Sequence, residues 1–320
     1  MFAVVEVTCW HWLGFIAFVV MCLALDLGIF HRKAHVVQFR EALLWTAVWF
    51  SLAMLFSIGL KSLRGEKEAL EFLTGYIIEL SLSMDNVFII ALIFSYFSIP
   101  AVHQHRVLFW GILGALLMRG LMIGAGVALV LWLHWILYLF GAFLLYSGIR
   151  MLFVETRVHP ENNRLVRLAR KLFPITPDLH GRRFMVLADS KWALTPLALV
   201  LMMVETTDLL FAVDSIPAIF SVTTKPFIIF TSNVFAILGL RNLYFVLAGA
   251  LNRFRYLKYG LSIVLVFIGI KMLIDPHDHQ PPLWFQVDIS TPIALLVIGV
   301  ILLSSILLSA TDRARGKPAA

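Results

Sequence analysis

The sequence predicts an all-α, polytopic helical membrane protein with about nine transmembrane helices, and composition and hydropathy both support this. Hydrophobic residues make up 61% of the 320 positions, charged residues only 14%, and the mean hydropathy is +0.91. This composition is far more apolar than that of soluble globular domains. Nine apolar runs, each of about 17 to 25 residues, are long enough to cross a bilayer as helices.

The nine predicted spans can be followed in order along the chain. They cover residues 10–30, 42–60, 73–97, 107–131, 134–154, 194–220, 227–249, 256–274 and 291–309. A charged stretch between the fifth and sixth spans contains Pro160, Pro174 and Pro177. We interpret it as a basic cytoplasmic linker that touches anionic lipid, with one amphipathic helix through Arg164–Phe173.

Lysine and arginine residues are distributed unequally between the two sides of the predicted membrane. With the N-terminus outside, the outer loops contain only Lys61, Arg64, Lys67 and Lys225, and the inner loops contain most of the rest. This asymmetry predicts a multi-pass protein of the inner (cytoplasmic) membrane with a cytoplasmic C-terminus. It also explains the formal net charge of +7 without nucleic acid as a partner.

The N-terminal segment argues against a cleaved signal peptide, and the cysteines argue against redox chemistry. The first apolar run lacks the basic flank of a secretory signal, so we expect it to be retained as a span. Cys9 and Cys22 form no CxxC pair and no zinc-type spacing, so the sequence contains no visible redox apparatus.

A weak internal repeat relates spans three to five to spans six to eight. The shared features are an acid-x5-Asp element at Glu79–Asp85 and Asp208–Asp214, Ile-Leu-Gly at 112–114 and 237–239, and Gly-Ile-Arg/Lys-Met-Leu at 148–152 and 269–273. Three spans cross the bilayer an odd number of times, so the second copy must be inverted relative to the first.

The repeat divides the chain into five predicted parts. They are two peripheral transmembrane helices in 1–72, the first three-helix repeat in 73–154, the linker in 155–193, the second repeat in 194–274, and an outer loop, last span and tail in 275–320. Inverted repeats place their functional site near the bilayer midplane, where the two copies meet.

Five acidic side chains inside these spans are the strongest indication of function: Glu79, Asp85, Glu205, Asp208 and Asp214. Each intramembrane carboxylate costs roughly 2.5 to 3.5 kcal/mol on insertion scales unless it is compensated, and a bound cation compensates it directly. Ser81, Ser83 and Asn86 add oxygen donors, and no cysteine or histidine lies at the same depth. This hard donor set favours Mn²⁺, Mg²⁺ or Ca²⁺ and leaves the choice among them open.

The three acids of span six do not all share one face of a regular helix. Glu205 and Asp208 do, since they are three residues apart, but Asp214 lies about 120° further around. We expect either a broad site or a helix interrupted at Pro217, which would free the carbonyl of Val213 to coordinate a cation.

Arg119 and Arg241 lie in the spans that follow the acidic ones, and two readings stay open. They could balance the carboxylates after the cation leaves, or form static ion pairs or reach an interface. Two arginines cannot neutralise five carboxylates, and an apolar site without a cation favours protonated carboxyl groups, which is a route to proton coupling.

Asp26 and two histidine-containing loops could either take part in function or simply be exposed to solvent. Asp26 is expected to be interfacial. His103 and His105 at the inner mouth, and Asp275, His277, Asp278 and His279 in an outer loop, could gather metal at an entrance or remain solvated.

Four segments resemble the TerC/Alx family of integral membrane proteins, over roughly residues 10–310. They are YIIELSLSMDN at 76–86, VETTDLLFAVDSIPAI at 204–219, TSNVFAILGL at 231–240 and FIGIKML at 267–273. The resemblance implies the LysE-like transporter superfamily, three-plus-three inverted repeats and efflux of divalent metal, chiefly manganese. It carries over a metal site formed by Glu79, Asp85, Asn86, Glu205, Asp208 and Asp214. The family was named for a link to tellurite resistance, and some members are associated with supplying metal to secreted proteins.

The leading hypothesis is a secondary transporter, not an enzyme, that exports Mn²⁺. The chain has no GxxxxGK[ST] phosphate loop, so we expect coupling to protons or to the membrane potential.

The main alternative is a scaffold for metal handover or for assembly of membrane and secreted proteins. An intramembrane aspartyl protease using Asp85 and Asp214 is disfavoured because a GxGD signature is absent. Homo-oligomers and partner membrane proteins stay open.

Overall fold

The computed structural model describes residues 7–25, 38–133, 135–153, 164–181, 183–188, 191–248, 256–275 and 286–314. Within these ranges the chain is mainly helical. The helices are α1 (Cys9–Leu25), α2 (Phe39–Arg64), α3 (Glu66–Tyr96), α4 (Ala101–Trp132), α5 (Ile136–Phe153), α6 (Arg164–Leu172), α7 (Pro196–Phe220), α8 (Pro226–Ala248), α9 (Leu257–Ile274) and α10 (Thr291–Ala314). The two strands are β1 (Met185–Ala188) and β2 (Lys191–Leu194).

The predicted polytopic helical membrane fold is confirmed. In the described part of the chain, eight helices are long and apolar enough to cross a bilayer, namely α2 to α5 and α7 to α10. The first predicted span corresponds to α1, which has 17 described residues. Each predicted span therefore coincides with a helix.

The helices differ in how much of their surface they bury. Nearly all of α8 is enclosed, and more than half of α3 is, whereas α2 and α10 leave most of their apolar surface exposed. Around α3, α7 packs on one side and α8 on another, and α4 packs against both α7 and α8. These four helices therefore surround the middle of the protein. The three-helix inverted repeat stays a prediction.

The closest helix crossing joins α5 to α9. A Cβ atom added at Gly269 would lie 2.6 Å from the backbone nitrogen of Leu145 and 2.9 Å from the carbonyl oxygen of Gly141. Only a residue without a side chain fits there, because small residues let transmembrane backbones approach each other closely.

Of the two arrangements expected for span six, the interruption at Pro217 is wrong, because α7 is one continuous helix from Pro196 to Phe220. The broad site stays a prediction. Proline removes one backbone hydrogen bond, and here it does so in the last turn, where the helix has almost ended. The start of α7 is well defined: Pro196 occupies its first turn, and the Thr195 hydroxyl donates to the carbonyl oxygen of Arg183 at 2.8 Å.

The linker contains the expected amphipathic helix, α6, and also an antiparallel hairpin that the sequence analysis did not predict. In this hairpin β1 pairs with β2 in a register that places Val186 opposite Ala193 and Leu187 opposite Trp192. Val186 and Ala193 are buried, and Leu187 and Trp192 are exposed. The hairpin ends two residues before α7 begins, so it lies at the entrance of a predicted span.

Candidate metal-binding site

Arg119, on α4, joins two of the predicted acids. Its Nη1 donates to Oε1 of Glu79 on α3, its Nη2 to Oδ1 of Asp208 on α7 at 3.0 Å, and its Nε to Oδ2 of Asp208 at 3.3 Å. All three side chains are buried. A guanidinium that donates two hydrogen bonds to one carboxylate fixes the position of that carboxylate and also compensates its charge.

Two asparagines complete this arrangement, which we call the central cluster: Glu79, Asn86, Arg119, Asp208 and Asn233. The amide nitrogen of Asn86 donates to Oδ1 of Asp208 at 2.8 Å, and that of Asn233 donates to Oε2 of Glu79 at 2.9 Å. The Oδ1 atoms of both asparagines are buried and accept no hydrogen bond from any described residue. Buried acceptors without a donor are costly, so these two oxygens are features that require an explanation.

The charges of the central cluster do not balance. Glu79 and Asp208 face the guanidinium of Arg119. The neighbouring Glu205 and Arg241 add one charge of each sign, so one negative charge is in excess if all three acids are ionised. An uncompensated charge in the low dielectric of a membrane protein interior is strongly unfavourable. The cluster therefore favours an additional cation or a proton.

A small cavity lies beside the cluster. It has a volume of about 20 Å³, room for about one water molecule, and Asn86, Asp208 and Arg241 provide its polar lining. Arg241, on α8, is buried. The second predicted arginine is therefore next to the cluster, and it lines the same cavity as Asp208.

The other three predicted acids lie outside the hydrogen bonds of the central cluster. Asp214 accepts a hydrogen bond from Ser147 of α5 at 2.9 Å, and Asp85 interacts electrostatically with Lys258 at the start of α9. The carboxylate of Glu205 packs against Gly114 of α4 and interacts electrostatically with Asp208. Across the described ranges, no three histidine, cysteine, aspartate or glutamate side chains are close enough to share a metal ion.

The structure thus brings together Glu79, Asn86, Arg119 and Asp208, places Glu205 and Arg241 next to them, and leaves Asp85 and Asp214 apart. Asn233, Ser147 and Ser215 were not predicted as site residues. Ser215 lies 3.5 Å from Nη1 of Arg119. A search for every polar residue inside an apolar span, rather than for acids alone, would have found all three.

A larger cavity opens at the predicted outer end of the helices and has a volume of about 640 Å³. Its walls include Glu71, which accepts a hydrogen bond from Thr223 at 2.9 Å and pairs with Lys225 at 3.2 Å. Lys271, also in the wall, donates to the carbonyl oxygen of Ser221 and to Asp275, each at 2.8 Å. This outer vestibule and the ion pairs in its wall were not predicted.

The structure describes only some of the other predicted acids and histidines. Asp275 is paired with Lys271, and His277, Asp278 and His279 lie outside the described residues, as does Asp26. His103 is half-buried, and its Nδ1 atom accepts or donates no hydrogen bond within the described chain.

Comparison with known proteins gives consistent matches over most of the chain. A family model described as the integral membrane protein TerC family matches residues 64–317. An uncharacterized membrane protein of Myxococcus xanthus is 52% identical over 291 residues, which cover 91% of this chain and 90% of that protein.

Two further relatives carry the name "Putative membrane-bound redox modulator Alx". The protein of Photorhabdus laumondii is 48% identical over 280 residues, 84% of this chain and 88% of its own length. The protein of Escherichia coli strain K12 is 46% identical over 301 residues, 91% of this chain and 93% of its own length. No solved structure gives a significant match.

Proposed function

The chain belongs to the TerC family of integral membrane proteins, and on that premise we propose that it is a secondary transporter that exports a divalent metal cation across the cytoplasmic membrane. Mn²⁺ is the favoured substrate, and protons or the membrane potential supply the driving force. The premise covers the membrane fold and the family. The substrate, the direction and the coupling are our proposal.

One observation carries the proposal. The carboxylates of Asp208 and Glu79 accept hydrogen bonds from the amide groups of Asn86 and Asn233, and these residues lie on helices α3, α7 and α8. The Oδ1 atoms of both asparagines have no hydrogen-bond donor among the described residues. Oxygens of this kind are the ligands that hard divalent cations prefer. A cation held by Glu79, Asp208 and the Oδ1 atoms of Asn86 and Asn233 would satisfy both amide oxygens that the described residues leave without a donor.

Arg119 explains how such a site can release its substrate. The guanidinium and a divalent cation compete for the same oxygens of Glu79 and Asp208, since both are bound through those carboxylates. When the metal leaves, Arg119 compensates the acids, and when the metal binds, Arg119 must move away. Arg241 lines the cavity next to Asp208 and is placed to share this role.

The other acids fit a transport path better than a single binding site. Glu205 lies near Asp208, whereas Asp214 accepts a hydrogen bond from Ser147 of α5 and Asp85 interacts electrostatically with Lys258 of α9. A cation that leaves the central cluster toward the outer face would enter the outer vestibule, where Glu71 is the buried carboxylate. Proton exchange at these acids would couple metal movement to the proton gradient.

The test replaces the two asparagines in protein reconstituted into vesicles that contain a fluorescent metal indicator. Asn86→Leu and Asn233→Leu each remove a proposed ligand while keeping a side chain of similar size. We expect each to lower the rate of Mn²⁺ flux at least about tenfold, which corresponds to a loss of about 1.4 kcal/mol of interaction. Asn233→Asp, which keeps an oxygen, should retain more activity than Asn233→Leu.

The matched control is Asn242→Leu. Asn242 is also a buried asparagine on α8, but it makes no hydrogen bond to Glu79 or Asp208 in the described structure. If all three leucine variants transport Mn²⁺ equally well, the central cluster is not the substrate site. If wild-type protein gives no flux of Mn²⁺, Mg²⁺ or Ca²⁺ under any gradient, the transport proposal itself fails.

The name of the Alx relatives raises a second candidate, direct redox chemistry, and the two cysteines argue against it. Cys9 and Cys22 are thirteen residues apart on α1, which separates them by about 20 Å along the helix axis. That distance is far beyond the reach of a disulfide within one chain.

A scaffold for metal handover or for assembly of other membrane or secreted proteins remains the alternative function. It places the functional surface on the loops and the linker instead of the central cluster. Normal flux in linker variants, together with loss of flux in the asparagine variants, would exclude it as the main activity.

A further inference from the structure

Helix α6 exposes apolar side chains on a face that no other part of the described structure covers. Val166 is buried against the start of α7, in the core that contains Leu197 and Leu199. Leu168 and Leu172, four residues apart and so on one face of the helix, are 51% and 65% exposed. The helix therefore has one apolar side that packs on the protein and another that does not.

The hairpin adds to the same kind of surface. The cross-strand pair of Leu187 and Trp192 points away from the buried pair of Val186 and Ala193, and the two exposed residues are 66% and 61% accessible. We call Leu168, Leu172, Phe173, Leu187 and Trp192 the linker face. Apolar side chains exposed on both the helix and the hairpin of one basic segment indicate an interaction site.

The position of the linker face narrows the choice of partner. Leu194 at the end of the hairpin is two residues from Pro196, the first residue of α7. The Thr195 hydroxyl ties the hairpin segment to α7, and the guanidinium of Arg106 on α4 stacks over the ring of Phe184 at 5.1 Å. The linker face therefore lies where two predicted spans meet the membrane surface.

The charges next to the linker face are mainly positive. Arg167, Lys171 and Arg183 are exposed, and the one acidic residue in the described part of 164–194 is Asp178. Leucine and tryptophan beside lysine and arginine are typical of helices and loops that lie in the interface of a bilayer. The cytoplasmic leaflet is rich in anionic lipid, which attracts basic segments close to it.

We propose that the linker face is a lipid-binding surface, which inserts Leu168, Leu172, Leu187 and Trp192 among the headgroups of an anionic membrane while Arg167 and Lys171 contact the lipid phosphates. This surface is fixed to α4 and α7, the helices that carry Arg119 and Asp208. The proposal does not depend on what the central cluster binds.

The experiment measures the depth of the linker face in full-length protein reconstituted into vesicles. Single cysteines are introduced as Leu168→Cys and Leu187→Cys in a background of Cys9→Ala and Cys22→Ala, and each is labelled with a nitroxide. Collision rates with oxygen, which concentrates in lipid, and with a water-soluble nickel chelate are compared. In vesicles of phosphatidylcholine with phosphatidylglycerol, we expect both positions to favour oxygen several-fold more than a label at His180→Cys does.

His180 is the matched control because it is exposed in the turn between α6 and the hairpin, outside the linker face. The double variant Arg167→Gln and Lys171→Gln should reduce the oxygen preference at position 187, and high salt should do the same. Equal nickel access at positions 168, 187 and 180 would overturn the proposal. So would shielding that disappears when the protein is diluted to one copy per vesicle, because the face would then contact a second copy.

Discussion

At the scale of single residues, Arg119 has the largest effect on the site. It is buried between Glu79 and Asp208, and these three groups come from three different helices. Buried ion pairs contribute little net stability compared with apolar packing, but removing one member leaves the other charges buried and unpaired. Arg119 therefore controls both the stability of the protein and the charge available to a cation.

We expect Arg119→Gln to lower the free energy of unfolding by about 3 to 5 kcal/mol at neutral pH, because Glu79 and Asp208 lose their counter-charge. Thermal unfolding in detergent would measure this. Mn²⁺ should raise the Tm of the variant more than that of the wild type, since a bound cation replaces the missing positive charge.

The control for this prediction is Lys61→Gln. Lys61 pairs with Glu66 at 3.5 Å, but both side chains are mostly exposed, and exposed ion pairs contribute little. A Tm for Arg119→Gln as high as that of Lys61→Gln would mean that Glu79 and Asp208 are not ionised together.

At the scale of helices, the crossing of α5 and α9 is the most restrictive contact. Gly141, Gly148 and Gly269 each leave no room for a Cβ atom without a shift of the opposing backbone or side chains. In the sequence, Gly148 and Gly269 begin the matched strings of the predicted repeat. Their common physical reason is close packing of two transmembrane backbones.

Gly269→Ala should therefore destabilise the protein by about 1 to 3 kcal/mol, the usual cost of overpacking. The added methyl group would press on the backbone of Leu145 and Gly141, neither of which can rotate away. Thermal unfolding in detergent or resistance to proteolysis would report the change.

Gly299→Ala on α10 is the comparison, because a Cβ atom there meets no atom within 4 Å. Alanine in a helix interior is favoured over glycine by about 0.5 to 1 kcal/mol, so this variant should be neutral or slightly more stable. Equal stability of the two variants would show that α5 and α9 are not in contact at Gly269.

At the scale of the whole molecule, the orientation in the membrane links the central cluster to transport. The charge asymmetry of the loops predicts that the α2–α3 junction faces outward and the linker inward. The outer vestibule, which lies near the N-terminal end of α3, would then be the side on which an exported cation is released.

This orientation is testable with single cysteines in the background without Cys9 and Cys22. A membrane-impermeant maleimide should label Glu66→Cys in intact spheroplasts, since Glu66 is exposed at the start of α3. His180→Cys should be labelled only after the membrane is permeabilised. The opposite pattern would reverse the predicted topology and with it the assignment of the vestibule to the outer side.

Much of the fold was predictable because hydropathy depends on local composition. Each predicted span contains a helix, but the ends differ: α3 begins at Glu66 rather than at 73, and α4 at Ala101 rather than at 107. A hydropathy window detects the apolar middle of a helix, whereas charged first turns such as Glu66 to Glu68 stay helical outside it. The hairpin was missed because its strands are only four residues long.

The candidate site was predictable in part. The cost of burying carboxylates singled out Glu79 and Asp208 among five acids, and the position of Arg119 in the span after Glu79 singled it out as a group that could balance their charge. Asn233 was missed as a site residue because an asparagine carries no charge and costs less in an apolar span. The separation of Asp214 from Asp208 follows from their spacing, since positions six apart on a continuous helix lie on different faces.

The sequence by itself determined that the chain spans a membrane with many helices and that several of its buried groups must be compensated, since both follow from the free energy of transferring each residue out of water. Only the tertiary structure decided which groups compensate which. Arg119 is 40 residues from Glu79 and 89 from Asp208, and their contact depends on how α3, α4 and α7 are rotated and packed. That rotation is set by close contacts between helices, which no single segment specifies.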